Sequence, residues 1–253
     1  MSEKTFEVVE LSDDVLWLYK RFEIDGLLLH HSQYLVEADD GFVLIDAGEG
    51  HEEEMNQVLN SGTGGDDLDT LLLTHSILPH TGNVESIREK WEDVVVVSAA
   101  NVPELAGVFD AEPKLLNSST EIEGETFSFL DPLLTDVVAS NWIYHHRSKI
   151  LFTAEGVGHY HAPSQSSLTS DSMENGIEYE HIHKFNQDKL PYVHYLDPEK
   201  LRAGFDAVLE EFDVEYIAPI HGNPVASDDI DEYIDNILRS VEVFRENPEQ
   251  MVS

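Results

Sequence analysis

No cysteine occurs among the 253 residues. That excludes a disulfide framework, a thiolate nucleophile and any zinc site built on sulfur. Basic residues are scarce as well: 14 Lys and Arg stand against 51 Asp and Glu, a formal net charge of -37. Phosphate recognition needs clustered Lys and Arg, so neither nucleic acid nor anionic lipid is an expected partner. No apolar run approaches the roughly 20 residues that span a bilayer, so no membrane partner is expected either. The opening MSEKTFEVVEL lacks a basic stretch followed by an apolar one, and so does not read as a signal peptide. The compartment these absences predict is the cytoplasm.

Hydrophobic residues make up 41% of the chain, enough for a real core, and the length allows one large domain over residues 1–253. The acidic residues are interleaved with periodic apolar ones rather than run in blocks, which argues against a disordered acidic tail. The charge then reads as a solubility device for a halophile's cytoplasm. In molar salt the screening length falls to about 3 Å and repulsion is damped.

The hydrophobic pattern predicts alternating strands and helices. Strands are expected over Phe6–Leu11, Val15–Tyr19, Ser32–Glu37, Phe42–Ile45, the valine run Val94–Val97, Glu125–Leu130, Val137–Tyr144, Lys149–Thr153 and Val214–Ile220. The Asp-Gly at Asp40–Gly41 is a hairpin signal. Helices are expected over His51–Leu59, Asn83–Trp91, Val102–Phe109 with Asn101 as cap, Leu201–Phe212 after Asp197-Pro198-Glu199, and Asp228–Phe244. Gly156–Asn175, rich in Ser, Gly and His, reads as a loop over the functional site. Two similar halves of this kind suggest a sheet sandwich covered by helices.

The stretch TLLLTHSILPHTG at Thr70–Gly82 is a short apolar strand opening into a loop with His75 and His80. Three more polar residues follow directly on apolar strands: Asp46 after Val43–Ile45, Glu155 after Ile150–Thr153, and His221 after Tyr216–Ile220. Neutral imidazoles with a carboxylate are metal-ligating groups, provided the strand ends converge. Asp46 reads as a brace for loop backbone. His30 and His31 lie on an alternating strand, which sends only one of them inward. His159, His161, His181 and His183 read as loop, structural or exposed histidines. GTGG at Gly62–Gly65 lacks a following Lys and is not a phosphate loop.

THSILPHTG resembles the signature loop THxHxDHxG of the metallo-β-lactamase superfamily. DPLLTDVVASNWIYHHRSKILFTAEGVGHYH and IAPIHGNP resemble its flavodiiron and oxygen-binding di-iron branch, over roughly residues 5–245. The resemblance implies an α/β fold, a four-layer αββα sandwich with a metal pocket at one edge. It also implies a family ligand set that this chain keeps only in part. His75, His80 and His221 match. Glu155 falls at the bridging Asp, one methylene longer. Ile77 and Pro79 stand at ligand positions and have no lone pair to give, and Thr135 stands where a His is expected. What remains implies at most one ion, iron or alternatively zinc, at His80, Glu155 and His221 with His75 nearby. Dioxygen or another small molecule is the implied partner, and a head-to-tail homodimer the implied assembly. The functional expectation is an oxygen- or redox-related protein, or a sensor. A zinc hydrolase is one alternative, and a scaffold that has lost its metal is another. The flavodoxin domain of true flavodiiron proteins is not in this sequence, so no built-in electron supply is expected.

Overall fold

A computed structural model describes residues 6–137 and 139–249. Val138, inside the strand expected over Val137–Tyr144, lies outside the described residues. The chain divides into two compact units.

The first unit comprises Met1–Arg21, His31–Asp131 and Val137–Ser148. Strand β1 (Glu7–Ser12) pairs antiparallel with β2 (Val15–Ile24). Strand β3 (Leu27–Glu37) pairs antiparallel with β4 (Phe42–Ile45) around the predicted Asp-Gly turn, where the Ala38 amide donates to the Gly41 carbonyl at 2.8 Å. Helix α1 (Glu52–Gly62) leads to β5 (Thr70–Leu73). The short α2 (Leu78–Thr81) and then α3 (Val84–Lys90) lead to β6 (Val95–Ala99). Helix α4 (Pro103–Phe109) leads to β7 (Glu112–Lys114). Strands β4 to β7 are successive parallel neighbours. Their C-terminal ends therefore share one edge, the edge where α/β proteins place ligands. The unit also holds the antiparallel meander β8 (Ser118–Ile122), β9 (Glu125–Leu130) and β10 (Trp142–His145).

The pleat explains the packing of this unit. Leu71 and Leu73 of β5 are two apart and point to one face. There they join Leu35, Leu44 and Val96 from neighbouring strands. Met55 and Leu59 of α1, Val84 and Ile87 of α3, and Leu105 of α4 cover that face. Each such side chain contributes about 1.5–3 kcal/mol when fully buried. On the polar side, Arg147 gathers carboxylates from separate turns: Asp14 at 3.2 Å, Asp39 at 3.0 Å and Glu125 at 2.7 Å. It also donates to the Glu37 carbonyl. Few cations serve a chain this acidic, and this one ties three hairpins.

Several expectations need correction in this unit. Asn101 does not cap α4; its side-chain amide donates to the Ser140 carbonyl at 2.9 Å, and Val102 takes the cap position without a side-chain bond. Val95, one of the four valines read as buried, is 39% exposed. Strands β7 and β8 were not anticipated. The first is only EPK and the second is SSTEI, short and polar, with Pro113 tolerated at a sheet margin.

The second unit comprises Phe22–His30, Pro132–Asp136 and Lys149–Ser253. Strand β11 (Ile150–Phe152) pairs parallel with β12 (Tyr216–Ala218), and β12 pairs antiparallel with β13 (Val225–Ala226). Helices α5 (Tyr179–Lys189) and α6 (Pro198–Glu211) pack on α7 (Ile230–Glu246). Asp197 caps α6 as its position suggests, accepting from the amides of Glu199 and Lys200. Helix α7 buries Ile230, Ile234, Ile237, Val241 and Phe244, the stripe read from the sequence. Helix α5 was missed. Only Ile182 and Phe185 give it an apolar face, too few for a clear period.

Of the segment Gly156–Asn175, residues 156–161 are buried, while Pro163, Ser164 and Asp171 are exposed. His159 and His161 within it are buried. Leu28 and His161 exchange backbone hydrogen bonds at 2.9 and 3.0 Å, which pins the segment down. Among the described residues no helix is long and apolar enough to cross a membrane.

Candidate functional site

In the first unit the site grows from Asp46, the residue after β4. Its backbone is left-handed, with φ of 62°. That turn directs its carboxylate at the loop after β5. Oδ1 accepts from the Thr74 amide at 2.8 Å, and Oδ2 from the Thr74 hydroxyl at 2.7 Å. Nδ1 of His80 lies 2.8 Å from Oδ2. A carboxylate can only accept, so His80 carries a proton on Nδ1, which in the neutral ring puts the lone pair on Nε2. Asp46 thus braces the loop, and it also fixes the tautomer of its histidine.

His75 sits at the other end of this loop. Its ring meets that of His80 edge to face, with centroids 4.9 Å apart. Nδ1 of His75 lies 2.9 Å from both the Ala139 carbonyl and the Ser76 amide. A proton on Nδ1 serves the first contact, and its absence serves the second. Ile77 takes the cap position of α2, and Pro79 lies in its first turn. The two positions without donors therefore build the helical turn that carries His80 inward, where it is fully buried.

In the second unit the parallel pairing of β11 and β12 brings their following loops to one edge. Glu155 and His221 meet there, with Oε1 3.5 Å from Nε2, and both are buried. Nδ1 of His221 donates to the His30 carbonyl at 2.6 Å. A carbonyl only accepts, so Nδ1 of His221 carries a proton, which in the neutral ring puts the lone pair on Nε2, the atom facing Glu155. Thr135, also in this unit, is held at its amide by the Tyr192 hydroxyl at 3.0 Å. His30 is the inward member of the His30–His31 pair, as alternation requires.

His159 has both nitrogens engaged. The Asn223 amide donates to its Nε2 at 3.1 Å, and its Nδ1 lies 2.9 Å from the Tyr233 hydroxyl. Burial first, then the nearby His161, push its pKa down to about 3. In the first unit, burial followed by Arg147 pushes His145 down to about 4. These two histidines are neutral in the fold and take up protons near pH 6.5 once unfolded. Stability therefore falls as pH drops below about 6.5, by about 1.4 kcal/mol per pH unit for each. Denaturant midpoints measured from pH 7 to 5 in molar KCl check this, since salt screens the carboxylates' own repulsion. A flat profile would exclude it.

Among the described residues no group of three or more His, Asp or Glu side chains is arranged to hold a metal ion. Two observations nevertheless suit metal ligation. His80 and His221 each present Nε2, and each has Nδ1–H anchored to an oxygen, the outer-shell arrangement that ligating histidines use.

The profile of the metallo-beta-lactamase superfamily matches residues 26–227. No curated protein sequence matches the chain. Among solved structures it is similar to a flavoprotein of Thermotoga maritima, at 18% identity and a TM-score of 0.77, covering 94% of this chain and 62% of that one. The rubredoxin oxygen:oxidoreductase of Desulfovibrio gigas is similar at 16% identity and a TM-score of 0.76, covering 93% and 62%. A fragment, residues 1–254, of a diflavin flavoprotein from Nostoc is similar at 15% identity and a TM-score of 0.71, covering 97% and 100%. The chain thus spans about three fifths of the first two relatives and the whole of the third. At these identities the likeness establishes the fold: two mixed sheets with helices, the α/β sandwich of the matched family.

Proposed function

Because the chain belongs to the metallo-beta-lactamase superfamily, we propose that it is a member of the flavodiiron-like branch with a degenerate metal site, holding at most one metal ion and serving an oxygen- or redox-related or sensing role. The observation that carries this reading is the pair of anchored tautomers. Asp46 in the first unit and the His30 carbonyl in the second hold the proton of the neutral His80 and His221 rings on Nδ1. Glu155 adds a carboxylate beside His221.

The count of donors sets the upper limit. Ile77 and Pro79 have no lone pair, and Thr135 stands where the resemblance implies a further histidine. The ligand set that the resemblance implies, two imidazoles and a carboxylate, suits one iron, and zinc accepts the same groups. Chemistry with two ions about 3.5–4 Å apart needs more donors than these. When bound, an iron would supply redox chemistry and a place for dioxygen. The likeness to a rubredoxin oxygen:oxidoreductase supports that choice of small molecule.

Elemental analysis of protein purified in molar KCl tests the reading. The expected result is no more than one iron per chain, falling by at least about tenfold in occupancy at limiting iron in His80→Ala and His221→Ala. Two ions per chain, or full iron in both variants, would overturn it. Zinc in place of iron would move the assignment to a metal-dependent hydrolase.

A further inference from the structure

The loop His221–Asn223 is gripped by two buried histidines from distant parts of the second unit. The grip from His159 is double. Its amide donates to the His221 carbonyl at 3.1 Å, and its ring Nε2 accepts from the Asn223 amide. Its Nδ1–H points to the Tyr233 hydroxyl of α7, so the ring is held from behind. The grip from His30 is double as well. Its carbonyl accepts from Nδ1 of His221, and its own Nδ1 donates to the Gly222 carbonyl at 3.0 Å. Between them the two residues contact the backbone of all three loop residues and the ring of His221.

The packing leaves no slack. Gly222 has φ of 113°, a left-handed conformation that favours glycine, and a Cβ there would come within 2.6 Å of the His159 ring. Gly158 is equally close: a Cβ on it would lie 2.7 Å from the His221 carbonyl oxygen. Asn223 ties the loop further by donating to the carbonyls of Gln165 and Leu168 at 2.8 and 2.7 Å.

We infer that His159 and His30 are positioning residues, which hold His221 in the tautomer and direction that present its Nε2 to Glu155. The mechanism is selection of a proton site. Nε2 of His159 can accept from Asn223 only while its own proton sits on Nδ1, and Tyr233 keeps it there. That fixes the loop, and the fixed loop keeps Nδ1–H of His221 within reach of the His30 carbonyl. The inference rests on the reading of His221 and Glu155 as the working pair, but it concerns the metal-free protein.

The test is nitrogen-15 NMR of the ring nitrogens of His221 in metal-free protein, at a pH above the histidine range. In the parent, His221 is expected to show one tautomer, with Nδ1 protonated and Nε2 bare. His159→Ala is expected to lose this pattern and give averaged signals. His159→Gln, which can still accept from Asn223, is expected to recover much of it. His183→Ala serves as a control, because His183 contacts Tyr179, Ser240 and Phe244 instead. It should leave His221 unchanged whatever it does to stability. If His159→Ala does not fold, Tyr233→Phe decides, with a smaller shift in the same direction. An unaltered His221 pattern in whichever of these two variants decides would overturn the inference. Because no metal enters the measurement, that result would leave the metal proposal standing, and absence of metal binding would leave this one standing.

Discussion

Moved from about 2 M to about 0.05 M KCl, the protein is expected to lose its cooperative fold. The charge of -37 is the reason. At low salt the screening length exceeds about 10 Å, so each surface carboxylate feels many others; in molar salt it is about 3 Å and only adjacent groups interact. Net stability of a domain is only about 5–15 kcal/mol, and repulsion summed over so many like charges competes with it. The effect is sharpest where acids adjoin. Glu52, Glu53 and Glu54 occupy the first turn of α1. There they favour the helix dipole and repel one another. Arg147 counters three acids, yet it is one of only 14 cations. Thermal unfolding followed by circular dichroism across a KCl series checks this. A midpoint that does not move with salt would remove the halophilic reading of the charge.

Gly156→Ala is expected to destabilise the second unit by more than about 4 kcal/mol, and in most preparations to prevent folding. A Cβ at this position would overlap the carbonyl oxygen and carbon of Leu134. Both partners are backbone, so no side chain can rotate away. Gly156 follows Glu155 directly, and its amide closes a turn on the Thr153 carbonyl at 3.2 Å. Relief of the overlap would displace the turn that aims Glu155 at His221. Gly64→Ala is the comparison. A methyl there meets nothing within 4 Å, so only the backbone penalty of its φ of +66° is felt, about 1 kcal/mol. Urea unfolding in molar KCl measures both. Equal midpoints for the two variants would refute the argument.

How far the sequence alone reached follows from which interactions are local. The hairpin at Asp40–Gly41, the Asp197 cap and the stripe of α7 all depend on neighbours within a few residues, and their signals were plain. Helix α5 and the strands β7 and β8 were not, because short polar segments acquire their state from what they pair with. Asn101 shows the same limit from the other side. A residue typed as a cap by its neighbours is claimed instead by Ser140, 39 positions along the chain.

The composition of the chain by itself determined the absence of thiol chemistry, the excess of acid and the scarcity of phosphate-binding cations. The motif loop with Ile77 and Pro79 determined that two donors are missing, since no fold can give a lone pair to a hydrocarbon side chain. Only the tertiary structure decided which nitrogen of each neutral histidine carries no proton. That choice belongs to the partner on the opposite nitrogen: Asp46 for His80, the carbonyl of His30 for His221, Asn223 and Tyr233 for His159. Only it, too, placed His159 and His161 in the interior. A histidine has an apolar body and two polar edges, so its burial depends on finding partners for those edges, and those of His159 lie far along the chain, at Asn223 and Tyr233.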